Sequence, residues 1–422
     1  MFSVLSSAWA LLLGMMLLQV GNGMQGTLLG IRGEIEGFST LEMSLIMSGY
    51  FLGFLFGSRA APEMIRRVGH VRVFAALASL ISAVMILYPA FTDPYLWGAG
   101  RILIGFCFSG VYVTAESWLN NAATNENRGK ALSLYMIVQM VGIVSAQALL
   151  LTADPGGFIL FIIPSVLISL SFAPILLSIS PTPAFDTAKP MSLREIASVS
   201  PLGCVGMFLM GGVFSAQFGM AAVYGTRAGL SVAEISTFVA AFYVGAVLLQ
   251  YPLGWLSDRM DRRLLILMVA AGCALGALIG AMLGSIFTML LVAAFVVGGM
   301  SNPLYSLLIA YTNDFLQYDD MAAAAGGMVF INGLGAVAGP FLTGWMMGLF
   351  GPSGYFIFIG GLCAALVAYA AYRMTVRPAP SVQDTESYAA VSPGASPAAV
   401  YFAQEAAMEA SQDDPAEEAR AG

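Results

Sequence analysis

Arg101, Gly105, Phe108, Tyr112 and Glu116 are spaced by four, three, four and four residues, so a helix would carry all five along one face. Arg101 and Glu116 lie 15 residues apart. At ~1.5 Å per residue that is ~22 Å along a helix axis, so they cannot pair and each needs its own partner. Both sit in a long apolar block. A bare charge at the centre of a membrane helix costs ~2.5–3.5 kcal/mol on insertion scales. Either off-centre placement and snorkelling reduce that cost, or the guanidinium faces a cavity. In a cavity its planar fork suits a carboxylate, phosphate or other anion. Asn22 and Gln25, one turn apart in the first apolar block, lie at about the depth of Arg101 and are candidates to join it.

Gln139, Gln217, Tyr243, Asn302, Tyr305 and Asn332 are further polar side chains within apolar blocks. Each either faces a cavity or hydrogen-bonds a neighbouring helix, an interaction worth ~0.6–2 kcal/mol. Together with Asn22, Gln25, Arg101 and Tyr112 they form the candidate substrate-binding set. Charged residues gather instead at the block ends, with Arg66, Arg67, Glu116 and Arg128 in the first half of the chain. Asp258, Arg259, Arg262 and Arg263, next to Gly254, are their counterparts in the second half. Ion pairs at this level, such as Glu116 with Arg67 or Arg128, could hold one face shut and separate on switching. Topology and interfacial anchoring alone would also put charges there. Arg32 and Arg227, at corresponding positions near the other face, either form a positive mouth that attracts anions or snorkel.

Little points to an enzyme. The lone histidine, His70, reads as a loop residue, which leaves no Ser–His pairing within the blocks. Cys107, Cys204, Cys273 and Cys363 lack metal-like spacing and read as small buried hydrophobes. No cofactor or metal is expected. No acid lies mid-block, so a proton-coupling site has only the rim candidates Glu34, Glu116 and Asp258.

The elements that position these groups follow from composition. Of 422 residues, 59% are hydrophobic and 10% charged, and the mean hydropathy is +0.83. Soluble proteins average about 25% charged residues. Apolar blocks at 7–30, 42–60, 71–90, 96–118, 129–151, 158–180, 202–224, 234–253, 264–284, 287–311, 323–347 and 354–373 are each long enough to cross a ~30 Å hydrocarbon layer. The first lacks a basic n-region, exceeds a signal-peptide core and reads as a retained helix. Twelve crossings put both termini on one side. Thirteen Lys and Arg residues fall on that side, against Arg32 and Arg227 opposite, which assigns the termini to the cytoplasm. The net charge of −7 resides in the segment after Pro378, where eight acids face Arg420; the remaining 16 bases and 16 acids cancel. That segment is rich in Pro, Ala, Ser and Glu and reads as a disordered acidic tail. Nothing supports nucleic-acid binding.

The chain also resembles itself. Gly30-Ile31-Arg32 and Gly37-Phe38-Ser39-Thr40-Leu41-Glu42 recur as Gly225-Thr226-Arg227 and Gly229-Leu230-Ser231-Val232-Ala233-Glu234. Ser-x-x-Glu before an apolar run is a capping box, here opening the second and eighth helices. Tyr50-x-x-Gly53 matches Phe242-x-x-Gly245, and Gln139-x-x-Gly142 matches Asn332-x-x-Gly335. The expected architecture is an all-α membrane protein of twelve transmembrane helices in two pseudo-symmetric six-helix bundles. The halves are 1–180 and 201–377, joined by a cytoplasmic loop at 181–200 and followed by the tail at 378–422. Repeat-built membrane bodies place a binding site between the repeats and expose it by rocking.

Twelve spans and the run Gly254-Trp255-Leu256-Ser257-Asp258-Arg259-Met260-Asp261-Arg262-Arg263 resemble the major facilitator superfamily, whose signature here is Gly-x-x-x-Asp-Arg-x-Gly-Arg-Arg. Asp261 replaces its second Gly. Arg101-x3-Gly105 is similar to the family's fourth-helix pattern. Glu116-Ser117 and Asn127-Arg128-Gly129 resemble a poorly characterised bacterial permease subgroup. The resemblance covers residues 5–375 and implies that helices 1, 4, 7 and 10 line a central cavity, where Asn22, Gln25 and Arg101 would converge. Pro62 and Arg66 depart from the matching signature between helices 2 and 3, so a gate relay there would differ. The Gly-Pro motif of drug antiporters is absent from helix 5, which reads Ala146-Gln147. The resemblance implies a monomeric secondary transporter of the inner membrane that moves a small solute, an organic anion being one candidate, with or without a coupling ion. Proton-driven efflux of hydrophobic compounds, a sensor and a membrane enzyme are the alternatives.

Overall fold

The computed structural model describes residues 2–122, 128–177, 191–376, 385 and 388–412. Helices α1 (Phe2–Ile35), α2 (Thr40–Val68), α3 (His70–Ala90), α4 (Pro94–Ala122) and α5 (Arg128–Leu149) open the chain. The sixth, α6 (Ile159–Ser171), runs on into a short turn of helix at Ala173–Leu177. The second half holds α7 (Pro201–Arg227), α8 (Val232–Ser257), α9 (Arg262–Leu283), α10 (Phe287–Asn313), α11 (Tyr318–Phe350) and α12 (Gly354–Val376). Each of the twelve apolar blocks is thus a helix, usually longer than its apolar core because polar ends extend it. Ten stretches among the described residues are long and apolar enough to cross a membrane, and the last, Ala323–Val376, contains both α11 and α12.

The duplication read from the sequence is present in three dimensions. Ser39 and Glu42 exchange backbone and side-chain hydrogen bonds at the start of α2, and Ser231 and Glu234 do the same at α8. Gly37 and Gly229 precede these caps with φ of 77° and 76°, a left-handed conformation open to glycine at no steric cost. The helix pairs repeat too. On the α2–α4 contact Gly53 lies against the Ile102 carbonyl and Gly105 against that of Tyr50. On the α8–α10 contact Gly245 lies against the Phe295 carbonyl and Gly298 against that of Phe242. In lipid, helices associate through such close backbone approach, because apolar burial no longer drives them together.

The halves meet along α2 and α11 from the end opposite the termini inwards: Ser44 touches Gly344, Leu55 touches Gly333, and Arg59 stacks 3.9 Å from the Phe330 ring centroid. On the other flank α5 and α8 meet over a shorter stretch, where Ser236 Oγ donates to the Gln147 carbonyl at 2.5 Å. The side opposite the termini is closed. There Arg227 reaches Glu34 at 3.2 Å and the Phe38 carbonyl at 3.1 Å, while Gly30 packs on Ala222.

Two expectations need correcting. His70 is the first residue of α3 and is buried, its Nε2 3.1 Å from Ser117 Oγ beneath Trp118; it is no exposed loop residue. The tail is ordered where it is described. Residues 388–396 enter between the halves and α13 (Pro397–Gln412) packs on α4, α5 and α11. Val391, Ala395, Ala399, Val400, Phe402 and Ala403 are buried. Their sparse apolar pattern is too weak to signal a core helix alone, but it suffices when a cleft already exists to receive it.

Candidate substrate site

A cavity of about 130 Å³ lies between the halves, at the middle of the helices that line it. On the N-terminal side its wall is one continuous hydrogen-bonded row. Arg101 Nη1 donates to Gln25 Oε1 at 3.0 Å, and Gln25 Nε2 donates to Asn22 Oδ1 at 3.0 Å. Asn22 Nδ2 donates to Tyr112 Oη at 2.7 Å, and that hydroxyl donates to Gln19 Oε1 at 2.7 Å. Gln19 Nε2 completes the row by donating to Gln139 Oε1 at 3.2 Å. Each amide accepts through its oxygen and donates through its nitrogen, so the row has a single sense from α4 through α1 to α5 and holds the side chains in place.

Arg101 is 3% exposed. Its guanidinium carbon stands 4.7 Å from the centroid of the Tyr50 ring, and Nη2 contacts Met47 Sδ at 3.4 Å. Its Nε has no hydrogen-bond partner, and no carboxylate pairs with it among the described residues. The cation–π contact returns ~0.5–2 kcal/mol, which does not replace a counter-charge.

The C-terminal wall is neutral. The π-helical turn Ala216–Met220 in α7 aims Gln217 at Ser301, with bonds of 2.9 and 3.2 Å. Asn332 Nδ2 donates to the Met207 carbonyl at 3.0 Å and Asn302 Nδ2 to Gly298 at 3.1 Å, so these amides are held within their own half. Between them runs an aromatic surface: Phe214 and Phe218 at 4.4 Å between centroids, and Phe218 and Tyr243 at 5.0 Å. Nine of the ten candidate binding residues border this cavity. Tyr305 does not; it lies in a small recess with Ser301 and Pro393. Among the cavity residues outside the candidate binding set are Gln19 and Tyr50, although Gln19 precedes Asn22 by one turn and Tyr50 heads the repeated Tyr-x-x-Gly.

The charged residues at the side of the termini are arranged otherwise than expected. Arg66 and Arg67 both pair with Glu63 of α2, at 2.8 and 2.5 Å, and are exposed; neither reaches Glu116. The Arg128 side chain lies outside the described residues. Glu116 instead accepts from Tyr135 Oη at 2.9 Å and from the Ser396 backbone N–H at 3.0 Å. Arg262 is buried against Asp314 and Ser257, and also reaches Asp258 at 3.3 Å. Arg263 pairs with Asp261 at 2.9 Å, and Arg259 stacks on Trp255. Burial raises the Asp261 carboxyl, but its hydrogen bonds with Arg263 outweigh that and hold it below its ordinary range. All these pairs lie within one half. A pair between halves occurs on the opposite side, Arg227 with Glu34, so neither Arg32 nor Arg227 is a free cation of an outer mouth; Arg32 binds Glu36 and the Pro155 and Gly156 carbonyls. Only the fold shows that Asp314 meets Arg262.

Two six-helix repeats around a central polar cavity are an architecture of membrane carriers. The Major Facilitator Superfamily model matches residues 11–232 and 202–404, and the chain belongs to that family. It is 26% identical over 357 residues to YcaD, an uncharacterized MFS-type transporter of Escherichia fergusonii, covering 83% of this chain and 92% of that one. An uncharacterized MFS-type transporter of Yersinia pestis is 26% identical over 385 residues, 90% and 97% of the two chains. Among solved structures, the nucleoside transporter NupG (D323A mutant) superposes with a TM-score of 0.74 at 13% identity, over 86% of this chain and 98% of that one. A bacterial homologue of the human lysosomal transporter Spinster superposes at 0.66 with 14% identity, over 97% and 98%.

Proposed function

We propose that this protein is a secondary transporter that moves a small organic anion with an apolar or aromatic body across the cytoplasmic membrane by alternating access. The supporting observation is Arg101, a buried guanidinium at the cavity with no acid partner among the described residues. An anion docked there would supply the missing counter-charge, while Phe214, Phe218 and Tyr243 would take its body. The Lys and Arg distribution assigns the termini to the cytoplasm. With the outer side closed by Arg227 and Glu34, the cavity then belongs to the inward-facing half of the cycle. In that state cytoplasmic ion pairs between halves are expected to be apart, which fits the pairing of Arg66, Arg67, Arg262 and Arg263 within their own halves.

The test is a thermal-shift screen of the purified protein against carboxylates, phosphates, sugars and hydrophobic cations, followed by uptake of the hits into proteoliposomes. Carboxylates or phosphates should stabilise the wild type by ~2.7 kcal/mol at a hundredfold excess over Kd and should not stabilise Arg101→Ala. Stabilisation of both forms by neutral or cationic compounds alone would overturn the reading. A second reading, proton-driven export of hydrophobic compounds, draws on the aromatic wall. It predicts transport that follows an imposed pH gradient and survives Arg101→Ala.

A further inference from the structure

The central cavity has a third wall that belongs to neither half. Ser392, Pro393 and Gly394 of the tail border it from the side of the termini, and Pro393 also closes the recess beside Tyr305. The segment is tied to both halves. In the C-terminal half, the Tyr388 backbone N–H donates to Asp258 Oδ1 at 2.9 Å, and Gln250 Nε2 donates to Tyr388 Oη at 2.8 Å. Ser306 Oγ donates to the Val391 carbonyl and accepts from the Val391 N–H, both at 3.0 Å. In the N-terminal half, Glu116 accepts from the Ser396 N–H at 3.0 Å. The Tyr388 ring lies against Gly254, a position with no side chain to exclude it.

We infer that residues 388–406 are a built-in plug, which binds the inward-facing carrier between its halves, shuts the cytoplasmic mouth of the cavity and must leave before the carrier can turn over. The physical argument is one of volume. Closing the halves on this side would bring α4 and α5 towards α10 and α11, into the space where Val400 and Phe402, both fully buried, now sit. The tail and cytoplasmic closure therefore compete for one cleft. A segment that binds one conformer and not the other shifts the population towards the first. The tail's bonds to Gln250, Asp258, Ser306 and Glu116 also occupy polar groups that would otherwise face an open mouth. Glu116 and Asp258, assigned to a gate from the sequence, are thus anchors of the plug in this conformer. This inference goes beyond the proposed cargo and needs none to be known.

The experiment measures cavity access. Val329→Cys on α11 lines the cavity, and its reaction with a charged methanethiosulfonate is followed from the cytoplasmic side of inside-out membrane vesicles. The parent without the added cysteine gives the background from the four native thiols. Ending the chain before residue 388 should raise the modification rate by about tenfold or more, as expected when protection depends on a rare opening. A synthetic peptide of residues 388–412 should return it to the full-length value. Phe402→Asp, which leaves the bundle sequence intact and puts a charge into the buried face of α13, should give the same rise if truncation impairs folding. Equal rates in the full-length, truncated and Phe402→Asp proteins would overturn the inference, as would a peptide without effect.

Discussion

Arg101 and Arg262 are both buried guanidiniums, and their surroundings separate their roles. Arg262 has Asp314 and Asp258 as counter-charges, so it braces α9 against α10. Arg262→Ala would remove the guanidinium against which Asp314 is buried, and the expected loss is ~3–5 kcal/mol, seen as a lower Tm in detergent. The double variant Arg262→Ala/Asp314→Ala should lose less than the sum of the two singles, because removing one partner already forfeits the pair. Arg101 has amides and a tyrosine ring in place of acids. Arg101→Lys keeps the charge but not the fork, so anion affinity should fall by about tenfold, equivalent to ~1.4 kcal/mol. Arg101→Ala should abolish anion-dependent stabilisation while the apo protein loses little Tm, since no carboxylate is left unpaired among the described residues. Normal KM for both variants in proteoliposomes would sink the anion site. Arg101, Asn22 and Gln25 were legible in the sequence because helical spacing and depth brought them together. The tail partner of Glu116 was not, because it is the backbone of residue 396, outside the repeats.

The elements owe their places to glycine and to caps. Gly53, Gly105, Gly245 and Gly298 put backbone against backbone at two equivalent helix pairs. Gly53→Val or Gly105→Val would push α2 from α4. Such overpacking costs ~1–3 kcal/mol, and the outcome to look for is lower yield of folded protein and a lower Tm. Gly245→Val and Gly298→Val should behave alike if the repeats are mechanically equivalent. Gly326, with nothing near it, should tolerate Ala and serves as the control. The sequence displayed these glycines but not their partners, since a small residue on a helix marks a contact without naming the helix it meets. The π-helical turn at Gln217 has no such sign at all; it appears only once α7 has packed.

For the whole molecule, the side opposite the termini is closed by the Arg227–Glu34 bond between halves, and the other side is filled by the tail. Glu34→Ala removes one outer contact and should shift the population outward. A cysteine placed on the α1 wall of the cavity, Gly26→Cys, should then react faster with an impermeant thiol reagent added from the side opposite the termini. The pair is partly exposed, so the effect should be small, about 1.4- to fivefold for ~0.2–1 kcal/mol, and should shrink in high salt. An unchanged rate at low salt would mean that the Arg227–Phe38 hydrogen bond and the Gly30–Ala222 packing hold that side without the ion pair.

The sequence by itself determined the membrane as solvent, the twelve apolar helices, the duplication and the rank of polar residues along α1 and α4. These follow from composition and from local period, which any helix displays in one dimension. Only the tertiary structure decided which charges meet, that Arg66, Arg67, Arg262 and Arg263 pair within their own halves, and that the tail lodges between the halves. Ion pairing and cleft filling depend on distances between segments hundreds of residues apart and on the conformer the halves have adopted. The tail's few apolar residues have no core of their own to build; the cleft between the repeats gives them one.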